Sequence, residues 1–318
     1  MLKAPKFWYE RPGFLSWALS PLGFIYGIIE AGLGILRHPE KCELPVISIG
    51  NLVMGGSGKT PTTIALVALL KEIGHTPHII TRGYGGKARG PIRVDPKIHA
   101  YHEVGDEPLL LAKAAPTWVD HLRVNAARLA KEEGATILLL DDAHQNRKLK
   151  KDLSLIVVDG KQKFGNGFVF PSGPLREFFG RGMARAEGII WVSKENENFS
   201  KPTFHAKLKP QYEVSLKNSP LIAFSGLGFN QKFLATLKEE GFQVLYFKEF
   251  PDHHPYHEKD LEHLLNFAHN KGAKLVTTAK DEVRLPESYR NQLDIINVGI
   301  EFENPEELKS WLVSQNLH

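Results

Sequence analysis

The stretch GNLVMGGSGKTP, Gly50 to Pro61, ends like a phosphate-binding loop and opens unlike one. The common pattern G-x-x-x-x-G-K-[ST] sets a glycine five residues ahead of the Gly-Lys pair; here Val53 stands at that place. The surroundings decide the reading. PVISIG at 45–50 is an apolar run of strand character, and TPTTIALVALLKEIG carries apolar residues at helical spacing. Strand, loop and helix in that order let backbone N–H groups and a helix N-terminus converge on an anion. Gly55, Gly56 and Gly58 permit a tight reversal and keep side chains out of the path of phosphates. With Ser57 between them, the loop implies a nucleoside triphosphate: Lys59 for its β- and γ-phosphate oxygens, and the Thr60 hydroxyl for Mg²⁺.

Such a loop needs a carboxylate at the end of an apolar strand to hold the metal's water shell. TILLLDD offers Asp141 and Asp142; SLIVVD, ending at Asp159, competes with the same look. In VGDEPLLLA, Asp106 and Glu107 precede an apolar helix start. One reading is an N-cap with a dipole-complementing acid. The other is a general base with an acid near the metal or phosphate. FPDHHPYH at 250–257 puts an aspartate and three histidines in a proline-bounded loop, open to metal binding, pairing with a carboxylate, or simple solvation. Arg82 in TRGYGG, with Arg176 and Arg181 in PSGPLREFFGRG, sit in glycine-rich loops suited to phosphate recognition. Neither loop has the aromatic interleaving of a nucleic-acid groove, so no nucleic-acid partner is expected.

A chain of 318 residues, 42% hydrophobic and 24% charged, is a folded protein and exceeds the roughly 250–300 residues of one core, so two domains are expected. The net charge of +4 is compatible with an anionic substrate or a membrane surface. The single cysteine, Cys42, excludes an internal disulfide and a zinc cluster and suits a reducing compartment. Strands are expected at 45–50, 78–81, 136–141, 154–159 and 188–193, with helices after Gly58, after Gly105 and near His121, the alternation of an α/β fold. A polar segment at 195–220 reads as a linker holding a pair of strands. A second αβ series follows: LIAFSG, a helix from Asn230, FQVLYF, a helix from Glu258, KLVTT and a helix within 304–315. The resulting division is an N-terminal segment at 1–40, a P-loop core at 41–200, a linker at 201–219 and a smaller α/β unit at 220–318. The N-terminal segment is uncharged from Pro12 to Ile29, with Trp8, Tyr9, Trp17 and Tyr26 as interfacial aromatics. It admits three readings: a helix in the membrane interface, a span, or a helix packed on the core. In the first two, Arg37, His38 and Lys41 face anionic headgroups.

GNLVMGGSGKTP, TRGYGG, VGDEPLLLA, LDDAHQN, PSGPLRE, FPDHHPY and TTAKD, in this order and spacing, resemble the tetraacyldisaccharide 4′-kinases of lipid A biosynthesis. The resemblance covers essentially the whole chain. It implies two α/β/α domains joined by a short strand ribbon, with the active site in the cleft between them. It also implies an ATP- and Mg²⁺-dependent kinase at the cytoplasmic face of the bacterial inner membrane, with an acylated glucosamine disaccharide 1-phosphate as acceptor and no obligate protein partner. Lys59 and Thr60 take the phosphate-loop roles; Asp141 and Asp142 take the metal side with Glu107 close by. Asp106 becomes the general base assisted by a histidine of the DHH loop, His253 in preference to His254 or His257, and Arg176 contacts phosphate. The family commonly has Thr where Ser57 stands, and its DDG block ends in Gln-His. Ala143, His144 and Asn146 depart from that block, while Gln145 is retained to help position the site. A metal-insertion GTPase is the rival enzyme, but T-A-K-D at 278–281 has the wrong order for guanine's N-K-x-D. A non-catalytic ATP-binding membrane scaffold is the other alternative.

Overall fold

In the computed structural model, which describes residues 4–35 and 39–317, the apolar runs expected as strands in the first half are buried over nearly all their length, whereas FQVLYF at 242–247 forms an edge strand largely open to solvent. Helix α1 (Phe14–Ile35) precedes β1 (Val46–Gly50), α2 (Lys59–Glu72), β2 (Pro77–Thr81) and the two-residue β3 (Ile92–Arg93). Then come α3 (Tyr101–Val104), α4 (Asp106–Ala112), β4 (Thr117–Val119), α5 (Val124–Glu132), β5 (Ile137–Leu140), β6 (Leu153–Asp159), α6 (Phe179–Ala184) and β7 (Gly188–Val192). The polar segment contributes one long strand, β8 (Thr203–Gln211). After it run β9 (Leu221–Ser225), α7 (Asn230–Glu239), β10 (Val244–Glu249), α8 (Glu258–Asn270) and β11 (Lys274–Thr278). The short helices α9 (Ala279–Glu282) and α10 (Glu287–Arg290), β12 (Asp294–Phe302) and α11 (Pro305–Ser314) complete the chain.

All strands join one mixed sheet in the order β10-β9-β11-β12-β8-β7-β6-β1-β5-β2-β4-β3. Successive side chains of a strand point to opposite faces, and the cores divide accordingly. Ile47, Ile49 and Leu139 pack with Leu66 and Leu70 of α2 on one face; Val46, Leu138 and Leu140 pack with Ala126, Ala127 and Ala130 of α5 on the other. In the second half, Ile222 and Phe224 of β9 meet α8, while Leu221 and Ala223 meet α7. The fold is therefore α/β with helices on both faces of the sheet. Leu308 and Leu312 of α11 return to the first half and share a core with Leu66 and Leu70.

The pair of strands expected within 195–220 is made differently: β8 pairs antiparallel with β12, from Ala206 opposite Phe302 to Gln211 opposite Asn297. This is the ribbon between the halves, and its second strand comes from far along the chain.

Helix α1 has an apolar sequence on all sides and is only partly covered. Phe14, Leu15, Trp17, Leu22, Phe24, Ile25, Ile28 and Ile29 are each at least half exposed. Its covered side is made by glycines: a Cβ on Gly23 would lie 2.6 Å from the Val169 carbonyl oxygen, and one on Gly27 would lie 2.5 Å from the Phe178 ring. Pro21 lacks an N–H for the Trp17 carbonyl, and the Ser20 hydroxyl donates to that oxygen at 2.8 Å instead. The helix Phe14–Gly34 is long and apolar enough to cross a membrane. Arg37 and His38 lie outside the described residues.

Candidate active site

The loop after β1 turns at Gly55 and Gly58, whose φ values of 114° and 86° fall in the region that favours glycine. Asn51 Nδ2 donates to Ser57 Oγ at 3.0 Å across the base of the loop. Val53, where the common pattern has glycine, is buried and forms a bridge with Leu175. Around it the Met54 N–H donates to the Pro174 carbonyl at 2.8 Å, and the Arg176 N–H to the Leu52 carbonyl at 2.8 Å. The first part of the loop is thus a strand-like rung that delivers Arg176 to the site. The turn itself is made by the three later glycines.

Lys59 and Thr60 begin α2, half-buried at its N-terminus. Lys59 Nζ is 3.7 Å from Asp142 Oδ1, and Arg176 Nη1 is 2.9 Å from the same oxygen. Burial opposes charge on Asp142, but Lys59 and then Arg176 hold its carboxyl below the ordinary carboxylate value. Asp141 behaves oppositely. It is buried, and burial followed by the nearby Glu107 charge pushes it up to about 7, although the Thr63 hydroxyl donates to Oδ1 at 2.8 Å. Gln145 Nε2 donates to the Asn51 carbonyl at 2.9 Å and to Glu177 at 3.1 Å, bracing the loop from behind. His144 lies under Gly50, where a Cβ would approach its Cβ to 2.5 Å, and its Nε2 faces the Gly182 carbonyl at 3.0 Å. Burial, with the Lys151 charge second, drops its imidazole to about 4. Its place is beneath the loop.

Asp106 opens α4 and is buried. His253 Nδ1 lies 2.9 Å from Asp106 Oδ2. His253 has a positive φ of 57°, and its N–H donates to the Gly226 carbonyl at 3.2 Å. Burial opposes charge on Asp106, yet His253, Lys280 and Arg284 together hold the carboxyl below its ordinary value. His254 is occupied elsewhere, 3.2 Å from Asp260 and stacked on Phe250, and His257 caps α8 through its N–H to Asp260.

The residues expected at the site therefore form two groups: Lys59, Asp142, Arg176 and Gln145 around the loop, and Asp106, Glu107 and His253 beside it. Asp141 senses both through Glu107 and Asp142. Asp159 touches the loop only through Lys232: its Oδ1 accepts from the Lys161 N–H at 2.9 Å and its Oδ2 from Lys232 at 2.6 Å, while Lys232 also donates to the Gly56 carbonyl at 3.4 Å. Arg181 donates to the Ala31 carbonyl of α1 at 3.4 Å. Residues not foreseen are Lys280, 3.1 Å from Glu107 and 4.0 Å from Asp106; Arg284, 3.9 Å from Asp106; and Arg123, donating to the Asp141 and Asp142 carbonyls at 3.4 and 3.3 Å. The one signal was the TTAKD block, which holds Lys280 and stops three residues short of Arg284. Arg123 carried none. Among the described residues no group of three His, Cys, Asp or Glu side chains is placed to hold a metal ion by itself.

The model of the tetraacyldisaccharide-1-P 4′-kinase family matches residues 15–316. A tetraacyldisaccharide 4′-kinase of Rhodospirillum rubrum is 42% identical over 316 residues, covering 96% of this chain and 95% of its own. One of Methylorubrum extorquens strain PA1 is 41% identical and covers 100% of both chains. Among solved structures, "apo" form LpxK from Aquifex aeolicus in complex with ATP superposes with a TM-score of 0.79 at 30% identity, over 96% of this chain and 100% of that one. With matches spanning both halves and the helix before them, the chain belongs to the tetraacyldisaccharide-1-P 4′-kinase family.

Proposed function

We propose that the protein transfers the γ-phosphate of ATP to the 4′-hydroxyl of a tetraacyl glucosamine disaccharide 1-phosphate, giving lipid IVA. The observation that carries the reading is the buried Asp106 carboxylate, kept ionised, with His253 at 2.9 Å on one side of a phosphate loop that presents Lys59. Phosphoryl transfer needs positioning and charge balance more than covalent help. The amides of Gly55 to Gly58 cradle the phosphates, and Lys59 and Arg176 balance their charge. A sugar hydroxyl is a weak nucleophile; Asp106 accepts its proton as the O–P bond forms, and His253 orients the carboxylate. Gln145 keeps the loop in register through Asn51 and Glu177.

Mg²⁺ fits this donor set. Asp141 is held up near 7 by burial and by Glu107, a crowding that a divalent cation relieves. Thr60, Glu107, Asp141 and Asp142 are the residues to hold it, and one or two carboxylates with substrate phosphates are the ordinary Mg²⁺ environment. The ion, when bound, neutralises charge on the transferring phosphate.

The expected units at 41–200 and 220–318, joined through 201–219, bring Asp106 and His253 from different halves, with α11 of the second returning to the core of the first, and closure of the cleft assembles the site and limits hydrolysis by water. The exposed apolar side of α1 rests in the cytoplasmic face of the inner membrane, beside acyl chains that stay in the bilayer. The test is transfer of labelled γ-phosphate from ATP to the tetraacyldisaccharide 1-phosphate in detergent with Mg²⁺. Transfer abolished in Asp106→Ala with ATP binding intact supports the reading; no transfer by the parent under varied detergent and Mg²⁺ refutes it. Unchanged membrane partition after deletion of residues 1–35 removes the role given to α1.

A further inference from the structure

Helix α9 is short, yet it is fixed from several sides. The Thr278 hydroxyl caps it by accepting from the Asp281 N–H at 3.1 Å. Val283, just beyond it, is buried in a cluster with Val104, Leu109 and Val119, so α9 rests on α4. Lys113 of the first half and Glu282 of the second pair at 2.8 Å along the same seam. Arg284, wholly buried, donates to the Gly226 carbonyl at 3.0 Å, and that oxygen also accepts the His253 N–H. The helix that bears Lys280 is thereby tied both to α4, which carries Asp106 and Glu107, and to the loop that carries His253.

From this fixed base Lys280 Nζ reaches 3.1 Å from Glu107 Oε1 and 4.0 Å from Asp106 Oδ2. Two adjacent carboxylates at one helix start repel each other, and Asp141 adds a third acid within electrostatic range. A cation between the first two holds them apart in fixed directions. We propose that Lys280 is a positioning residue for phosphoryl transfer: it clamps Glu107 and Asp106 from across the cleft, so that the base and the neighbouring acid keep separate directions. This rests on the kinase reading above. Lys280 acts through those carboxylates, and its contribution falls on the transfer step.

The experiment compares full-length parent, Lys280→Met and Lys280→Arg in the labelled-phosphate assay, with melting temperatures measured alongside. Methionine keeps the stem and removes the charge; arginine keeps the charge at similar reach. The expected result is a kcat at least tenfold lower in Lys280→Met with KM for ATP within twofold of the parent, and recovery of most of that loss in Lys280→Arg. A Lys280→Met kcat within twofold of the parent overturns the proposal, as does a loss confined to KM for ATP or to melting temperature. Equal loss in both variants also overturns it, because charge was then not the relevant property. If the parent itself transfers no phosphate, the kinase reading fails and this inference falls with it; a fully active parent with an unaffected Lys280→Met defeats the inference alone.

Discussion

Replacing Asp281 by alanine removes a fully buried carboxylate that collects four donors. These are the Gly226 N–H at 2.9 Å, the Tyr256 hydroxyl at 2.7 Å, the Thr278 hydroxyl at 2.6 Å and Arg284 Nη2 at 2.5 Å. Burial, and after it the Asp281 charge, raises the Tyr256 phenol well above its ordinary value, so that hydroxyl stays a donor. Leaving one member of a buried ion pair alone costs about 3–5 kcal/mol. Some of the other donors turn to new partners, but the Gly226 N–H is backbone and adds about 1–3 kcal/mol if stranded. Asp281→Ala is therefore expected to lower the stability of the second half by at least about 4 kcal/mol. Asp281→Asn, which keeps a carbonyl oxygen in place, is expected to cost about half that. Hydrogen exchange of the β9 amides, read by mass spectrometry, reports this half separately. The double variant Asp281→Ala, Arg284→Met should recover at least about 1 kcal/mol over Asp281→Ala, because a buried charge left with only the 3.9 Å contact to Asp106 is gone. Exchange in Asp281→Ala within about 1 kcal/mol of the parent, or no recovery in the double variant, refutes the account of a paired buried charge.

Val53→Ala should lower stability by roughly 2 kcal/mol through lost burial, and Val53→Gly should weaken ATP binding as well by loosening the rung to Leu175. Thermal shifts with and without ATP check both, and a Val53→Gly protein of parental stability contradicts the pairing described. Gly23→Ala should displace α1 at a cost of about 1–3 kcal/mol, because its Cβ meets backbone oxygen, whereas Gly32→Ala meets nothing within 4 Å and should stabilise slightly. Limited proteolysis within α1, raised in the first variant and unchanged in the second, is the readout. His78 is buried, accepts from Trp118 Nε1 at 3.3 Å, and burial holds its imidazole below the ordinary value. Below about pH 6.5 the unfolded chain gains a proton at this residue that the folded chain resists, so stability falls with acidification there. A His78→Phe variant should show a flatter stability profile between about pH 5 and 7, and an identical slope would remove the assignment.

The central strands were legible because complete burial selects continuous apolar runs: VISIG, ILLL and LIVV look alike in sequence and behave alike in the sheet. The strand TWV at Thr117–Val119 was missed because three residues show no period. The strand Asp294–Phe302 was missed because it alternates irregularly and its partner, Thr203–Gln211, is remote in the chain. At the site, Lys59 stood out locally in its glycine loop, whereas Asp106 was open to a helix-cap reading and took its expected role only from the resemblance. What escaped was pairing at a distance: Leu175 beside Val53, and Lys280 beside Glu107. A lysine in TTAKD looks the same whether it meets solvent or a carboxylate more than a hundred residues away. His144 departs from the family block in sequence, and burial gives the reason it is tolerated: its Cβ and backbone sit against Gly50 and its ring Nε2 faces the Gly182 carbonyl.

The β8–β12 ribbon also says how such a chain can be cut and rejoined. Gln211 and Asn297 are directly opposed, so the path leaves the first half and returns to it at neighbouring points. Everything between them is topologically an insertion at the tip of a hairpin. A turn of about two to five residues, the ordinary length for antiparallel neighbours, would join Gln211 to Asn297 and leave α11 on its own core. The excised half would in turn have its two ends side by side, suited to circular closure. The protein can be regarded as a phosphate-loop unit into whose edge hairpin a second unit, bearing His253 and Lys280, has been spliced.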